Sequence, residues 1–269
     1  MSPRSLIPVR DTELEVDVLG AGDPVVIVQT ALAADELLPL ADLVQREGCQ
    51  VIHYHRRGYA RSGAAASHPS VAEDAADCRA LIAALDIAPS HVVGVSYSAA
   101  VALSLASSSP ECVRTLSVLE PPPIHVLSAA QFRAANAQLS ETHATQGSGA
   151  ALEQFLRMLV GPDWRGECER QLPGSVAVME RDAPTFFQSD IPAMLAWTFT
   201  AEDAARIRCP VLYIGGSESG PWFAEVRDWV GQLLPQVHDT SISGAGHMLA
   251  ATHPAQVAHQ LINFVRNHP

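Results

Sequence analysis

Residues His91 to Ser98 read HVVGVSYS, a run of β-formers ending in a serine with a small residue two positions before it, Gly94, and another two positions after it, Ser98. A segment like this has few ways to fold. The β-branched residues favour a strand, and small neighbours on both sides of Ser96 let that strand turn sharply into a helix through a strained backbone at the tip. Such a turn holds the Ser96 hydroxyl out where it can act as a nucleophile. Bulk at either flanking position would collide with the adjoining strand or helix. The usual form of the motif ends in glycine, and this chain has Ser98 there.

Five residues of this type occur by chance in many chains, where they mark only a strand running into a helix. A histidine near the C-terminus narrows the reading. The segment SISGAGHMLAATHP follows a β-rich stretch, VHDTSI, and precedes an amphipathic stretch, QVAHQLINFVRN, so His247 falls on a Gly-rich loop past a strand end. His53, His55, His91 and His253 lie on no such loop.

With Ser96 and His247 in place, the chain resembles the α/β-hydrolase fold superfamily along nearly all its length. LEVDVLGAGDPVVIVQ is similar to that family's opening strands, with a turn from Gly20 to Pro24. QVIHYHRRGYARSG resembles the strand and loop that commonly read D-x-R-G-x-G-x-S; Arg57, Gly58, Arg61 and Ser62 keep the pattern, and His55 stands where aspartate is usual. The elbow, the strand TLSVLE, the strand CPVLYIGG and the GAGH loop then follow in family order. Apolar strands alternating with helical stretches independently imply an α/β fold, a mostly parallel sheet flanked by helices. The helix after the arginine-rich loop begins at Ser70-x-x-Glu73, a capping box, and repeats Val71, Ala75, Cys78, Leu81, Ile82 and Leu85 at helical spacing.

The expected organisation is a core of residues 1–122 and 206–269 with a helical cap of residues 123–205. PPPIHVLSAAQ breaks the chain after a strand, and no clear β run returns before CPVLYIGG. The resemblance makes this the lid that hydrolases of this fold insert between the sixth strand and the helix before the seventh. Phe132, Phe155, Leu156, Met158, Trp164, Phe186, Phe187, Met194, Trp197 and Phe199 supply apolar bulk for a pocket roof, which favours a largely apolar small-molecule substrate.

Chemistry at Ser96 requires a base, a carboxylate to orient that base, and donors for an oxyanion. The resemblance assigns His247 as general base. It assigns the backbone N–H of Tyr97, directly after the nucleophile, as one oxyanion donor, and that of Ala31 as the second by position; relatives commonly carry His-Gly where this chain has Gln29-Thr30. For the acid two positions compete. Most relatives place it just past the strand matching PVLYIGG, where this chain has Ser219 with Glu218 beside it. Glu120, at the end of TLSVLE and 24 residues after Ser96, matches a second known arrangement, that of zearalenone-lactonase-like enzymes and some haloalkane dehalogenases. A charged residue ending an apolar strand, where ligands bind in α/β folds, favours Glu120, with Glu218 the alternative.

A net charge of −12 argues against nucleic-acid partners and attachment to an anionic membrane, while neutral or cationic small ligands remain compatible. No signal-peptide core and no 18-residue apolar run occur, so a cytoplasmic protein is expected. The five cysteines show no CxxC spacing, and His53 and His55 alone do not make a metal site, so neither metal nor organic cofactor is expected. The implied activity is a serine hydrolase acting on a carboxylic ester or lactone. C–C bond hydrolysis and perhydrolysis reuse the same residues, and a ligand-binding protein on a hydrolase fold is the alternative from another class. Oligomeric state is not encoded in these features.

Overall fold

The computed structural model describes residues 4–269. Its strands are β1 (Ser5–Val9), β2 (Thr12–Leu19), β3 (Pro24–Val28), β4 (Gln50–Tyr54), β5 (Ser90–Val95), β6 (Val113–Leu119), β7 (Val211–Gly216) and β8 (His238–Ile242). They form one sheet in the order β1-β2-β4-β3-β5-β6-β7-β8. The β1–β2 and β2–β4 pairs are antiparallel, and every pair from β4 to β8 is parallel.

Side-chain alternation explains why both faces of this sheet are covered. In β3, Val26 and Val28 join one apolar cluster while Val25 and Ile27 join another on the opposite face. β6 divides in the same way, with Leu116 and Val118 on one side and Leu119 on the other. A strand apolar at successive positions is stable only between two layers.

The helices supply those layers: α1 (Leu38–Arg46), α2 (Val71–Ala84), α3 (Tyr97–Ser108), α4 (Ala129–Gln146), α5 (Ser148–Leu159), α6 (Trp164–Gln171), α7 (Ser175–Thr185), α8 (Ile191–Ala196), α9 (Ala201–Arg206), α10 (Pro221–Leu233), α11 (Leu249–Thr252) and α12 (Pro254–Arg266). A π-helical turn, Phe186–Asp190, joins α7 to α8. From α4 to α9 the chain is helical between β6 and β7. No helix among the described residues is long and apolar enough to cross a membrane.

One local expectation, the capping box at Ser70, is modified. Ser70 caps α2 by accepting a hydrogen bond from the Glu73 backbone at 3.1 Å, yet the capping box is only half formed because the Glu73 carboxylate pairs with Arg10 at 2.8 Å. A charged partner is a stronger attraction than the neutral N–H at the helix start. His55, in the usual aspartate position, is buried between two carboxylates, with Nδ1 3.0 Å from Glu15 and Nε2 3.0 Å from Asp35.

The strand order reverses at β3 and β5, because the chain leaves β3 for β4 on one side and returns to β5 on the other. Loops departing the carboxyl ends of those two strands diverge and open a crevice. The segment after β3 and Ser96 after β5 both face it.

Candidate active site

Ser96 sits at the tip of the β5–α3 turn with φ 51° and ψ −116°, a conformation costly for any residue with a side chain. The flanking residues show what makes it tolerable. A side chain at Gly94 would begin 2.2 Å from the Ser98 carbonyl oxygen. Ser98, standing in for the usual glycine, is fully buried; its hydroxyl accepts from the Val95 N–H at 2.8 Å and donates to the Val95 carbonyl at 3.0 Å. The departure from the motif thus ties the turn together. Behind it, Ala99, Ala100, Ala102 and Ala106 are completely buried, so α3 lies close to the sheet with its N-terminus at Ser96.

The structure brings Ser96, His247 and Glu120 into one line. His247 Nε2 is 3.0 Å from Ser96 Oγ, and His247 Nδ1 is 2.7 Å from a Glu120 carboxylate oxygen. The other carboxylate oxygen accepts from the Gly216 N–H of β7 at 2.7 Å. Glu120 is 1% exposed and occupies φ 45°, a second strained position directly after a strand. Glu218 is exposed on the cavity rim, and no hydrogen bond joins it to His247 among the described residues. Phe223, at the start of α10, lies flat on the His247 ring with centroids 3.9 Å apart and planes 12° apart.

The loop after β3 is held from several directions. Thr30 donates its hydroxyl to the Val95 carbonyl at 2.8 Å, which fastens the loop to the elbow. The Gln29 side-chain oxygen accepts from the Arg56 backbone at 2.7 Å, and the Arg56 side chain donates to the Gln29 carbonyl at 3.1 Å. Leu32 donates its N–H to the Tyr59 hydroxyl at 3.1 Å. The N–H groups of Ala31 and Tyr97, by contrast, donate to nothing among the described residues, and both residues border the cavity beside Ser96.

Arg56 is the centre of that support. Its guanidinium is 3% exposed, meets Asp190 with two bonds of 3.0 and 2.9 Å, and reaches Asp74 at 2.9 Å. It lies 4.3 Å over the Tyr97 ring, whose hydroxyl donates to Asp74 at 2.8 Å. Burial opposes the charge on Arg56, but Asp190 and Asp74 outweigh it and hold the guanidinium well above its ordinary pKa. Burial also pushes the Asp74 carboxyl up, against the pull of Arg56. Asp190 belongs to the π-helical turn, so this cluster links the inserted helices to the loop beside Ser96.

A cavity of about 300 Å³ opens over Ser96 and His247. Of the apolar groups anticipated for its roof, Phe132, Phe155, Leu156, Met158, Phe186 and Met194 line it. Trp164, Phe187, Trp197 and Phe199 do not; the Trp164 indole bonds Glu153 at 3.1 Å, and that of Trp197 bonds Ser104 at 3.0 Å. Trp222, Phe223 and Met248 were missed by sequence reasoning. The signal available for the first two was GPWFAE, an aromatic pair opening a helix just past β7, at the strand ends where the crevice lies.

A mostly parallel, helix-covered sheet with a serine at a strand-to-helix turn and a histidine after the last strand defines an α/β hydrolase. Residues 19–260 match the alpha/beta hydrolase family, and the chain belongs to it. Similar solved structures include an alpha/beta hydrolase from Sphaerobacter thermophilus (26% identity, covering 97% of this chain and 100% of that one, TM-score 0.76). A thermophilic esterase from Thermogutta terrifontis aligns over 100% of both chains at 17% identity with TM-score 0.84. The enol-lactonase from Burkholderia xenovorans aligns over 98% of this chain and 100% of its own at 17% identity with TM-score 0.76. No curated protein matches the sequence.

Proposed function

We propose that the protein is a serine hydrolase that cleaves a carboxylic ester or lactone through an acyl-enzyme on Ser96, with His247 as general base and Glu120 as the orienting acid. The observation that carries this reading is the unbroken hydrogen-bonded line from Glu120 through His247 to Ser96. Ser96 Oγ attacks the substrate carbonyl carbon while its proton passes to His247 Nε2. Glu120 accepts the Nδ1–H bond, which fixes the tautomer and stabilises the imidazolium that forms. The carbonyl oxygen becomes an oxyanion that the N–H groups of Ala31 and Tyr97 receive, a role supported by both residues lining the cavity and by neither N–H having a partner among the described residues. Donors of this kind each contribute about 3 kcal/mol of transition-state stabilisation. The imidazolium then protonates the departing alcohol. Water, deprotonated by His247, attacks the acyl carbonyl, releasing the acid and restoring Ser96.

The apolar cavity supports a substrate that is largely apolar, and the likenesses to an esterase and an enol-lactonase agree with the reaction class. Labelling of Ser96 by a fluorophosphonate, followed by a panel of esters and lactones, tests the proposal. Labelling without turnover of any of them would favour a ligand-binding protein on this fold. Glu120→Gln is expected to keep the fold and lower kcat by about 10⁴, because the amide stabilises the wrong tautomer. Glu218→Gln is expected to stay within a few-fold of the native rate; the reverse ranking would transfer the acid role to Glu218.

A further inference from the structure

Glu36 stands between two cavities. It lines the cavity over Ser96 and also a smaller chamber of about 40 Å³ behind it, with Met179 and Met248 bordering both. Among the described residues nothing donates a hydrogen bond to its carboxylate, and burial alone acts on it, pushing its pKa up to about 7. All basic side chains other than histidine are arginines in this chain, and no arginine lines either cavity. The smaller chamber holds a second unsatisfied group. Ser175, 4% exposed at the start of α7, has a hydroxyl with no hydrogen-bond partner. The other titratable groups of that chamber are already accounted for: Glu167 bonds Gln171 at 3.0 Å and pairs with Arg170, and burial pushes the Cys168 thiol up to about 11.

We propose that Glu36 and Ser175 form a subsite that receives a primary ammonium group at the end of the substrate remote from the reacting carbonyl. This deepens the reading of the Ser96 cavity as an ester or lactone site and rests on it. A half-buried carboxylate left unpaired between two mostly apolar cavities is unfavourable, and an arriving ammonium corrects that by supplying both the charge and three donors. One N–H serves the carboxylate and another the serine oxygen, two acceptors that the protein itself leaves empty. A neutral isostere of the same length fills the apolar passage and satisfies neither. Sites built around an unsatisfied polar group reject ligands that lack its partner far more strongly than apolar pockets reject a missing methylene. The aromatic rings of the larger cavity suit the methylene chain between, and the net charge of −12 draws cations toward the molecule.

Calorimetric titration at about pH 8, where the Glu36 carboxylate is ionised, tests this with n-alkylammonium chlorides and the matching 1-alkanols from butyl to octyl. The native chain and Ser96→Ala are both titrated. At the best length the ammonium is expected to bind at least about tenfold more tightly than the alkanol. Glu36→Gln should bring that ratio close to one, with Glu36→Ala as a second variant, and Ser175→Ala should lower it several-fold. The proposal is overturned if the ammonium binds no better than the alkanol at every length, or if the preference survives loss of the Glu36 charge. Because the probes carry no ester, this outcome is independent of Ser96 chemistry: failure to label or turn over would count against the hydrolase reading and leave the binding ratio readable.

Discussion

Two polar clusters meet the cavity from opposite sides of β5, and they are built for different ends. On the β6 and β8 side, Glu120, His247 and Ser96 form a single file, with His247 bonded to Glu120 through one ring nitrogen and to Ser96 through the other. On the β3 and β4 side, Arg56 is surrounded: two carboxylates, two loop carbonyls and an aromatic face engage one guanidinium. The first cluster borders the cavity at Ser96 and His247, where a ligand can reach it; the second keeps its central charge out of reach. A saturated cluster has no proton to move and resists rearrangement, which suits the holding of a loop. A single file with an open end suits chemistry.

The sharpest way to break that contrast is to remove the open end. Ser96→Ala is expected to lower kcat/KM by about 10⁴ or more while changing unfolding free energy by less than about 0.5 kcal/mol, since one hydroxyl is lost and little packing. Rates on the best ester set beside a denaturant melt measure both. A native-like rate would remove Ser96 from the mechanism.

Arg56→Met makes the opposite cut. It leaves Asp190 and Asp74 buried without their cation, for which a loss of about 3–5 kcal/mol in stability is expected. Arg56→Met combined with Asp190→Asn should recover part of it. A single variant as stable as the native chain would show that the loop beside Ser96 is held without the Arg56 side chain, by the bonds of Gln29, Thr30 and Leu32.

These clusters were not equally legible from the residues. A serine or glutamate that ends an apolar strand stands out locally, and strand ends in a parallel sheet converge at one edge, so Ser96, Glu120 and His247 carried a signal of position. The mostly parallel sheet flanked by helices was legible from the alternation of apolar strands with helical stretches, whereas the order of the strands within it was not. Arg56 was not, because its partners at positions 29, 74, 97 and 190 lie on four separate elements, and no spacing in the chain shows that they meet. Ser98 and Thr30 read only as departures from a glycine pattern. Their hydroxyls both bond the Val95 carbonyl, which becomes visible only when the turn is built. The half-formed cap at Ser70 has the same cause: Arg10, the competitor for Glu73, is 63 residues away in sequence.

A third region sharpens the contrast, since Glu36 is neither in file nor saturated. Its carboxyl lies at about 7 in the folded chain, above the ordinary 4.5, so its contribution to stability is present below pH 4.5 and is lost as pH rises through about 7. Glu36→Gln should therefore match the native chain near pH 4.5 and exceed it by up to about 3 kcal/mol above pH 7. His53 and His91, pushed down by burial to about 3 and about 4, slope the other way: their contribution is present above pH 6.5 and is lost as pH falls. The difference between the two proteins, rather than either profile, isolates Glu36. A difference that does not grow with pH would mean that the carboxylate is solvated through the cavity.

The smallest effect is expected where the single file is steered rather than cut. Phe223 covers one face of His247 and touches neither Ser96 nor Glu120 by hydrogen bond, so it acts on the imidazole through ring stacking alone. Stacked aromatic pairs contribute about 0.5–1.5 kcal/mol beyond their buried area, which corresponds to about 2- to 10-fold in rate if the whole contribution serves to hold the attacking geometry. Phe223→Leu keeps an apolar lining but loses the flat face, and should lower kcat within that range. Phe223→Tyr keeps the face and should restore it. Because Phe223 also lines the cavity, KM alone does not separate the two roles; a rise confined to KM in the leucine variant, with kcat unchanged, would make the ring a wall of the substrate pocket with no part in holding His247.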